Sequence, residues 1–154
     1  MINPFDDSYF MKKALEEAQQ AFDMGEIPVG AVIVANNTII GRGHNLTEQL
    51  IDVTAHAEMQ AITAASNSIG GKYLKGCTLY VTLEPCQMCA GALYWSQITK
   101  IVYGAKDLDR GYEAMGTKLH PKTKVVQGVM AQECSDLLKR FFIEKRNLNE
   151  GRSN

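Results

Sequence analysis

Scarcity is the first thing to read in this chain, because each shortage removes a class of protein. It has four cysteines among 154 residues, enough for two disulfides in a secreted protein. The opening residues carry Pro4, Asp6 and Asp7 where a leader would be basic and then apolar, so reduced thiols and a cytoplasmic setting are expected. No apolar run approaches the ~20 residues that a membrane-spanning helix needs. The longest, around Ile27 to Ala35, reads as a buried strand, and no membrane partner is expected. Internal repeats and low-complexity segments are also missing, which leaves an ordinary globular reading. An apolar content of 45% fits that reading, and the length suits one domain over residues 1–154 with a real core.

The net charge of −1 hides an imbalance. Residues 1–58 hold three Lys or Arg against nine Asp or Glu, and residues 59–154 hold thirteen against eight. Lys118, Lys122 and Lys124 cluster late in the chain, followed by Lys139, Arg140, Lys145, Arg146 and Arg152. Beside a crevice such clusters suit phosphates, although a solvated helix face accounts equally well for any one of them.

Against this background two short strings carry the chemistry: His56-Ala57-Glu58 and Pro85-Cys86-Gln87-Met88-Cys89. One imidazole and two thiolates fill three places of a zinc tetrahedron and leave the fourth for water, which is the pattern of a catalytic site. A closed structural site needs another Cys or His at short spacing, and neither Cys77 nor Cys134 has such a neighbour; both read as buried thiols. His44 and His120 read as polar surface or supporting groups. Residues two apart on a helix point in different directions, so His56 and Glu58 converge only over a helix start. Pro85 marks a second helix start ahead of the thiols. Two positive helix ends facing one metal help to ionise the thiols. Because two thiolates cancel the charge of Zn²⁺, the metal acidifies its water less than one held by neutral imidazoles. A carboxylate is therefore needed as proton carrier, and Glu58 is read as that base, not as a fourth ligand. Taking a proton from water, passing it to a substrate ring nitrogen and protonating the departing amine amounts to hydrolytic deamination.

Periodicity predicts an alternating fold. Phe10, Met11, Ala14, Leu15, Ala18, Ala21 and Phe22 form a helical stripe with Ser8 as start and Gly25 as stop. Strands are expected at 29–35 and 38–43, turned at Asn36-Asn37, then a helix from about Thr54 through Ser66, ended by Gly70-Gly71. A strand over 77–83, the helix from Pro85-Cys86 to about Ser96, a strand over 100–105, a loop over 106–124, a short strand near 125–128 and a helix over 131–147 complete the series. In the last helix Leu137, Leu138, Phe141 and Phe142 are expected to face inward. The sum is an α/β sandwich of a five-stranded mixed sheet between helix layers, with the ligands where strand ends meet helix starts.

The strings His-Ala-Glu and Pro-Cys-x-x-Cys resemble the cytidine deaminase superfamily; this is already the recognised signature of zinc-dependent base deaminases, tRNA-type enzymes among them, so the match is recognition of a known pattern and no independent derivation. Longer strings, Pro28-Val29-Gly30-Ala31, Thr54 to Glu58, Leu79 to Cys86, Met88 to Ala92 and Gly104-Ala105-x-Asp107, resemble the bacterial tRNA-specific adenosine deaminases within it. The resemblance implies a three-layer α/β/α deaminase fold and a homodimer with one Zn²⁺ per subunit. It implies conversion of the wobble adenosine of a tRNA anticodon loop to inosine. By motif it makes His56, Cys86 and Cys89 the metal ligands and Glu58 the catalytic proton shuttle. Asn45 then corresponds to a residue that holds the nucleoside and Asp107 to a contact with the anticodon-loop backbone. Asn45 is also a normal turn residue after Gly43, and Asp107 is equally suited to cap a turn or pair with Arg110.

Two stretches depart from that pattern. Tyr94-Trp95-Ser96-Gln97 is more aromatic than expected and is similar to bacterial guanine deaminases at the Tyr-Trp pair; Arg110 to Met115 lacks the usual Gly-Ser run. Two alternatives therefore stand beside the tRNA reading. One is deamination of guanine or a free nucleoside with the same metal, and the other is a non-catalytic zinc-containing RNA-binding protein, which has no use for Glu58.

Overall fold

Among the described residues the first helix begins where a side chain satisfies a free N–H group, and the central strands run where both faces are apolar. The computed structural model describes residues 3–152. Helix α1 (Asp7–Asp23) is capped by Asp6, whose carboxylate accepts from the Tyr9 N–H at 2.8 Å. The cap is thus Asp6, not Ser8. Strands β1 (Gly30–Ala35) and β2 (Thr38–His44) form a hairpin through Asn36 and Asn37, with φ of 50° and 61°, the left-handed pair that a tight hairpin demands. Helix α2 (Ala57–Ile69), strand β3 (Thr78–Leu83), helix α3 (Gln87–Ser96) and strand β4 (Lys100–Ala105) follow, then strand β5 (Lys124–Gln127) and helix α4 (Ala131–Arg152).

The sheet order is β2-β1-β3-β4-β5. β1 is antiparallel to both β2 and β3, while β3, β4 and β5 are parallel, so the sheet is mixed as expected. Alternation along the strands divides the core in two. Ala31, Ile33, Leu79, Val81, Ile101 and Tyr103 pack with Ala57, Ala61, Ala65, Ala90 and Leu93 of α2 and α3. Val32, Val34, Tyr80 and Val102 pack on the other face with Phe10, Met11, Ala14 and Cys134 of α1 and α4. Central strands covered on both faces explain the continuous apolar runs in the sequence.

Helix α2 lies unusually close to the sheet. A Cβ at Gly43 would sit 2.3 Å from the Ala57 carbonyl oxygen, so a side chain there would push the start of α2, and with it His56 and Glu58, off the sheet. Helix α2 begins at Ala57, three residues after the expected Thr54, and runs on to Ile69 before Gly70. Thr54 is drawn into a turn instead: the Asp52 carboxylate accepts from its N–H at 2.8 Å and from its hydroxyl at 2.7 Å. In α4, Leu137 and Phe141 are buried, Leu138 is only partly covered and Phe142 is 47% exposed, which corrects the inward placement of the last two. Cys77 and Cys134 are buried free thiols, as expected. No helix among the described residues is long and apolar enough to cross a membrane.

Candidate metal centre and active site

The last residue before α2 and the last before α3 face each other across one corner of the sandwich. His56 is the N-cap of α2 and Cys86 the N-cap of α3, and neither side chain caps its own helix. Cys89 sits on the first turn of α3 and is buried. His56 Nδ1 lies 3.6 Å from Cys86 Sγ and 3.5 Å from Cys89 Sγ. Zinc bonds of ~2.3 Å to sulfur and ~2.05 Å to imidazole, set tetrahedrally, put sulfur and nitrogen roughly 3.6 Å apart. The three donor atoms all lie within 4.8 Å of one another, so both the distances and the N/S donor chemistry fit zinc.

Protons are unevenly shared here. The Cys89 thiol donates to Cys86 and, with help from His56, holds the Cys86 thiol down at about 4, so that Cys86 carries the thiolate. The same hydrogen bond, together with burial, pushes Cys89 far above the usual thiol range. His56 is raised by its hydrogen bond to Cys86. Binding a metal to both sulfurs must therefore release the shared proton.

Glu58, in the first turn of α2, is 4% exposed. Burial pushes its carboxyl up to about 7, with the Cys86 thiolate adding to the rise and its own backbone N–H and His56 opposing it. A carboxyl poised there gives and takes protons readily near neutral pH. Above this corner opens a cavity of about 360 Å³ lined by Val53, His56, Cys86, Gln87, Met88, Arg110 and Met115, a size usual for small-ligand sites.

Of the six residues singled out by sequence, four meet at this corner. Asn45 is 8% exposed at the end of β2, donating from Nδ2 to the Ile27 carbonyl at 3.3 Å and accepting from the Thr47 N–H at 3.1 Å. It keeps one donor hydrogen and one acceptor site unused by these bonds, and it does not line the cavity. Asp107 caps a turn, its Oδ1 accepting from the N–H groups of Asp109 at 3.1 Å and Arg110 at 2.9 Å. Tyr94 and Trp95 lie outside the cavity lining; Trp95 is 76% exposed on α3, and the Tyr94 ring lies tilted against His120, centroids 5.4 Å apart.

Sequence reasoning missed two buried carboxylates that hold the cavity's loops. Glu26 accepts from the N–H groups of Glu48 and Gln49 at 3.0 and 2.9 Å, fixing the segment between β2 and α2. Glu84 does the same for the segment after β4. A signal was present: an acidic residue at the end of an apolar strand, as in Leu83-Glu84-Pro85, needs a buried partner. His44 pairs with Glu17 at 2.8 Å, and its carbonyl accepts from Gln60 of α2 at 2.6 Å, which ties β2 to the helix that starts at the metal corner.

The model for the cytidine and deoxycytidylate deaminase zinc-binding region matches residues 4–105. The chain is 45% identical over 148 residues to the tRNA-specific adenosine deaminase of Bacillus subtilis, covering 91% of each protein. A solved structure from work on A-to-I editing by tRNA:A34 deaminases superposes with a TM-score of 0.79 at 39% identity, over 84% of this chain and 99% of that one. A guanine deaminase structure from Bacillus subtilis also reaches 39% identity, with a TM-score of 0.64 over 70% of this chain and 68% of the other. The matched region contains the His/Cys/Cys corner and its buried glutamate, and on both counts the chain belongs to the zinc-binding cytidine and deoxycytidylate deaminase family.

Proposed function

We propose that residues 1–154 form a single zinc-dependent hydrolytic deaminase domain that converts adenosine to inosine at the wobble position of a tRNA anticodon. The observation that carries this reading is the buried Glu58 carboxyl beside three convergent zinc donors, in a chain so similar to tRNA-specific adenosine deaminases along nearly all of its length. His56, Cys86 and Cys89 hold one Zn²⁺ per subunit. When bound, the metal supplies the Lewis acidity that makes water a nucleophile at neutral pH. Glu58 takes the proton from the attacking water, delivers it to a ring nitrogen of the base and protonates the amine as it leaves as ammonia. Burial favours this role, since desolvation disfavours the charged form of the carboxyl and strengthens its hold on a proton. The cavity of about 360 Å³ receives a base turned out of the RNA strand. Asn45 holds the nucleoside through its unused donor and acceptor, and Asp107 shapes the turn that meets the anticodon-loop backbone.

The partners follow from the surface. Lys139, Lys145 and Arg146 are exposed on α4 and suit RNA phosphates, with Lys145 resting over the Phe141 ring at 5.4 Å; the Arg152 side chain lies outside what the structure describes. Exposed Ile69, Tyr73, Tyr94 and Trp95 support a homodimer that covers these apolar groups. A cytoplasmic location accords with free thiols and a tRNA substrate. The Tyr94-Trp95 pair and the guanine deaminase likeness favour guanine as a second substrate reading. Incubation with an adenosine-containing anticodon stem-loop and, in parallel, with free guanine, adenosine and cytidine decides between them. Inosine in the stem-loop is expected; far faster ammonia release from guanine overturns the tRNA assignment.

A further inference from the structure

Arg110 is the only charged residue in the cavity lining besides the metal ligands, and its guanidinium makes no ion pair among the described residues. Arg110 is exposed, and a solvated guanidinium with no ion partner at the rim of a small-ligand cavity is free to take an anion. Its position is not left to a mobile loop. Asp107 Oδ1 accepts from the Arg110 N–H at 2.9 Å, and the Gly111 N–H donates to the Asp107 carbonyl at 3.1 Å.

Beneath this turn lies Glu84, whose side chain is 0% exposed. Its Oε1 accepts from the Asp107 N–H at 3.1 Å and its Oε2 from the Glu113 N–H at 3.2 Å, so one carboxylate grips the loop on both sides of Arg110. Lys106 Nζ lies 3.7 Å from Oε1 and also pairs with Glu113, balancing the buried charge. Glycine is required at the crossing: a Cβ on Gly111 would sit 2.4 Å from the Glu84 carboxyl carbon and 2.5 Å from the Asp107 carbonyl oxygen. Gly111 bridges to Cys86, and the Tyr112 N–H donates to the Pro85 carbonyl at 2.9 Å. The segment bearing Arg110 is thereby fastened directly to the segment bearing a metal ligand.

We propose that Arg110 is the phosphate-binding residue of the cavity, gripping the phosphodiester next to the target nucleotide, and that Glu84 is the positioning residue that holds it there. The assignment rests on the reading of the substrate as RNA. A free base carries no phosphate and would leave the guanidinium without a partner, whereas a nucleotide turned out of a strand brings its phosphates to the cavity rim. The grip acts on binding, since the guanidinium meets the phosphate before and after the base reacts.

The test is a double cycle on zinc-loaded full-length protein, with stem-loops in which one neutral methylphosphonate replaces the phosphate 5′ or 3′ of the target adenosine. R110A is expected to raise KM for the unmodified stem-loop by roughly tenfold or more, the worth of a charged hydrogen bond, with kcat little changed. One of the two methylphosphonates should raise KM similarly for the wild type and add nothing in R110A, and R110K should recover part of the loss. E84Q should raise KM in the wild-type background and cost much less in R110A, with zinc content and Tm reported alongside. A methylphosphonate penalty of equal size in wild type and R110A at both positions overturns the phosphate assignment. An E84Q effect undiminished in R110A, or accompanied by zinc loss, overturns the positioning role. No inosine formed by the wild type overturns the RNA reading and this inference with it, a result distinct from the other two.

Discussion

Two hollows on this surface are built in opposite ways. The larger, about 660 Å³, is lined wholly by α4, from Ser135 to Asn149, and combines Leu138, Phe142 and Ile143 with Lys139, Lys145 and Arg146. The smaller, about 360 Å³, draws Val53, His56, Cys86, Gln87, Met88, Arg110 and Met115 from three separated stretches of chain. Size does not locate the chemistry. One helix supplies residues whose spacing is set by the helix itself, so it offers a surface. Convergence of distant segments allows three donor atoms within 4.8 Å and a buried carboxyl beside them, which no single helix face provides.

That contrast predicts effects of very different size. Beside the small cavity, Cys89→Ala removes a buried thiol proposed as a zinc ligand, and zinc content and deamination should both be lost; metal analysis by mass spectrometry after purification reads this directly, and full zinc occupancy would break the ligand assignment. On α4, reversing Lys145 and Arg146 to Glu should weaken stem-loop binding several-fold, spare zinc and lower the salt dependence of log K by about 1.4, two single-strand phosphate contacts at ~0.7 each. Affinity unchanged at low salt would make that face a solvated surface and nothing more. Phe142→Ser, at a side chain 47% exposed whose ring packs edge-on to Phe141, should lower the unfolding free energy by about 1 kcal/mol, because only part of the ring is out of water. A large loss in denaturant titration would show that the α4 face is covered in solution.

How much of this was legible in the sequence depended on how local each signal was. The Asn36-Asn37 hairpin, the ligand strings and the β3 and β4 runs were readable because turn chemistry, metal-donor type and apolar runs are carried by neighbouring residues. The start of α2 was misplaced because Thr54 looks like a cap, and only the fold shows its hydroxyl and N–H already taken by Asp52. On α4, Cys134, Leu137 and Phe141 make one stripe and Leu138 and Phe142 an adjacent one; spacing alone does not say which stripe meets the sheet. Glu26 and Glu84 stayed hidden for a related reason. Their partners are backbone N–H groups more than twenty residues away, which have no side-chain signature. Asp107 shows the same limit from the other side, since the structure supplies the turn-cap half of its two readings.

The role proposed for Glu58, carrying protons at a zinc site open to water, is tested by single-turnover deamination of an adenosine stem-loop by zinc-loaded Glu58→Gln, with bound zinc and RNA affinity measured on the same preparation. Wild-type zinc content and affinity are expected, with a rate lower by ~10²–10⁴-fold, the usual worth of a positioned acid–base group. Turnover near the wild-type rate in a zinc-replete variant would contradict it.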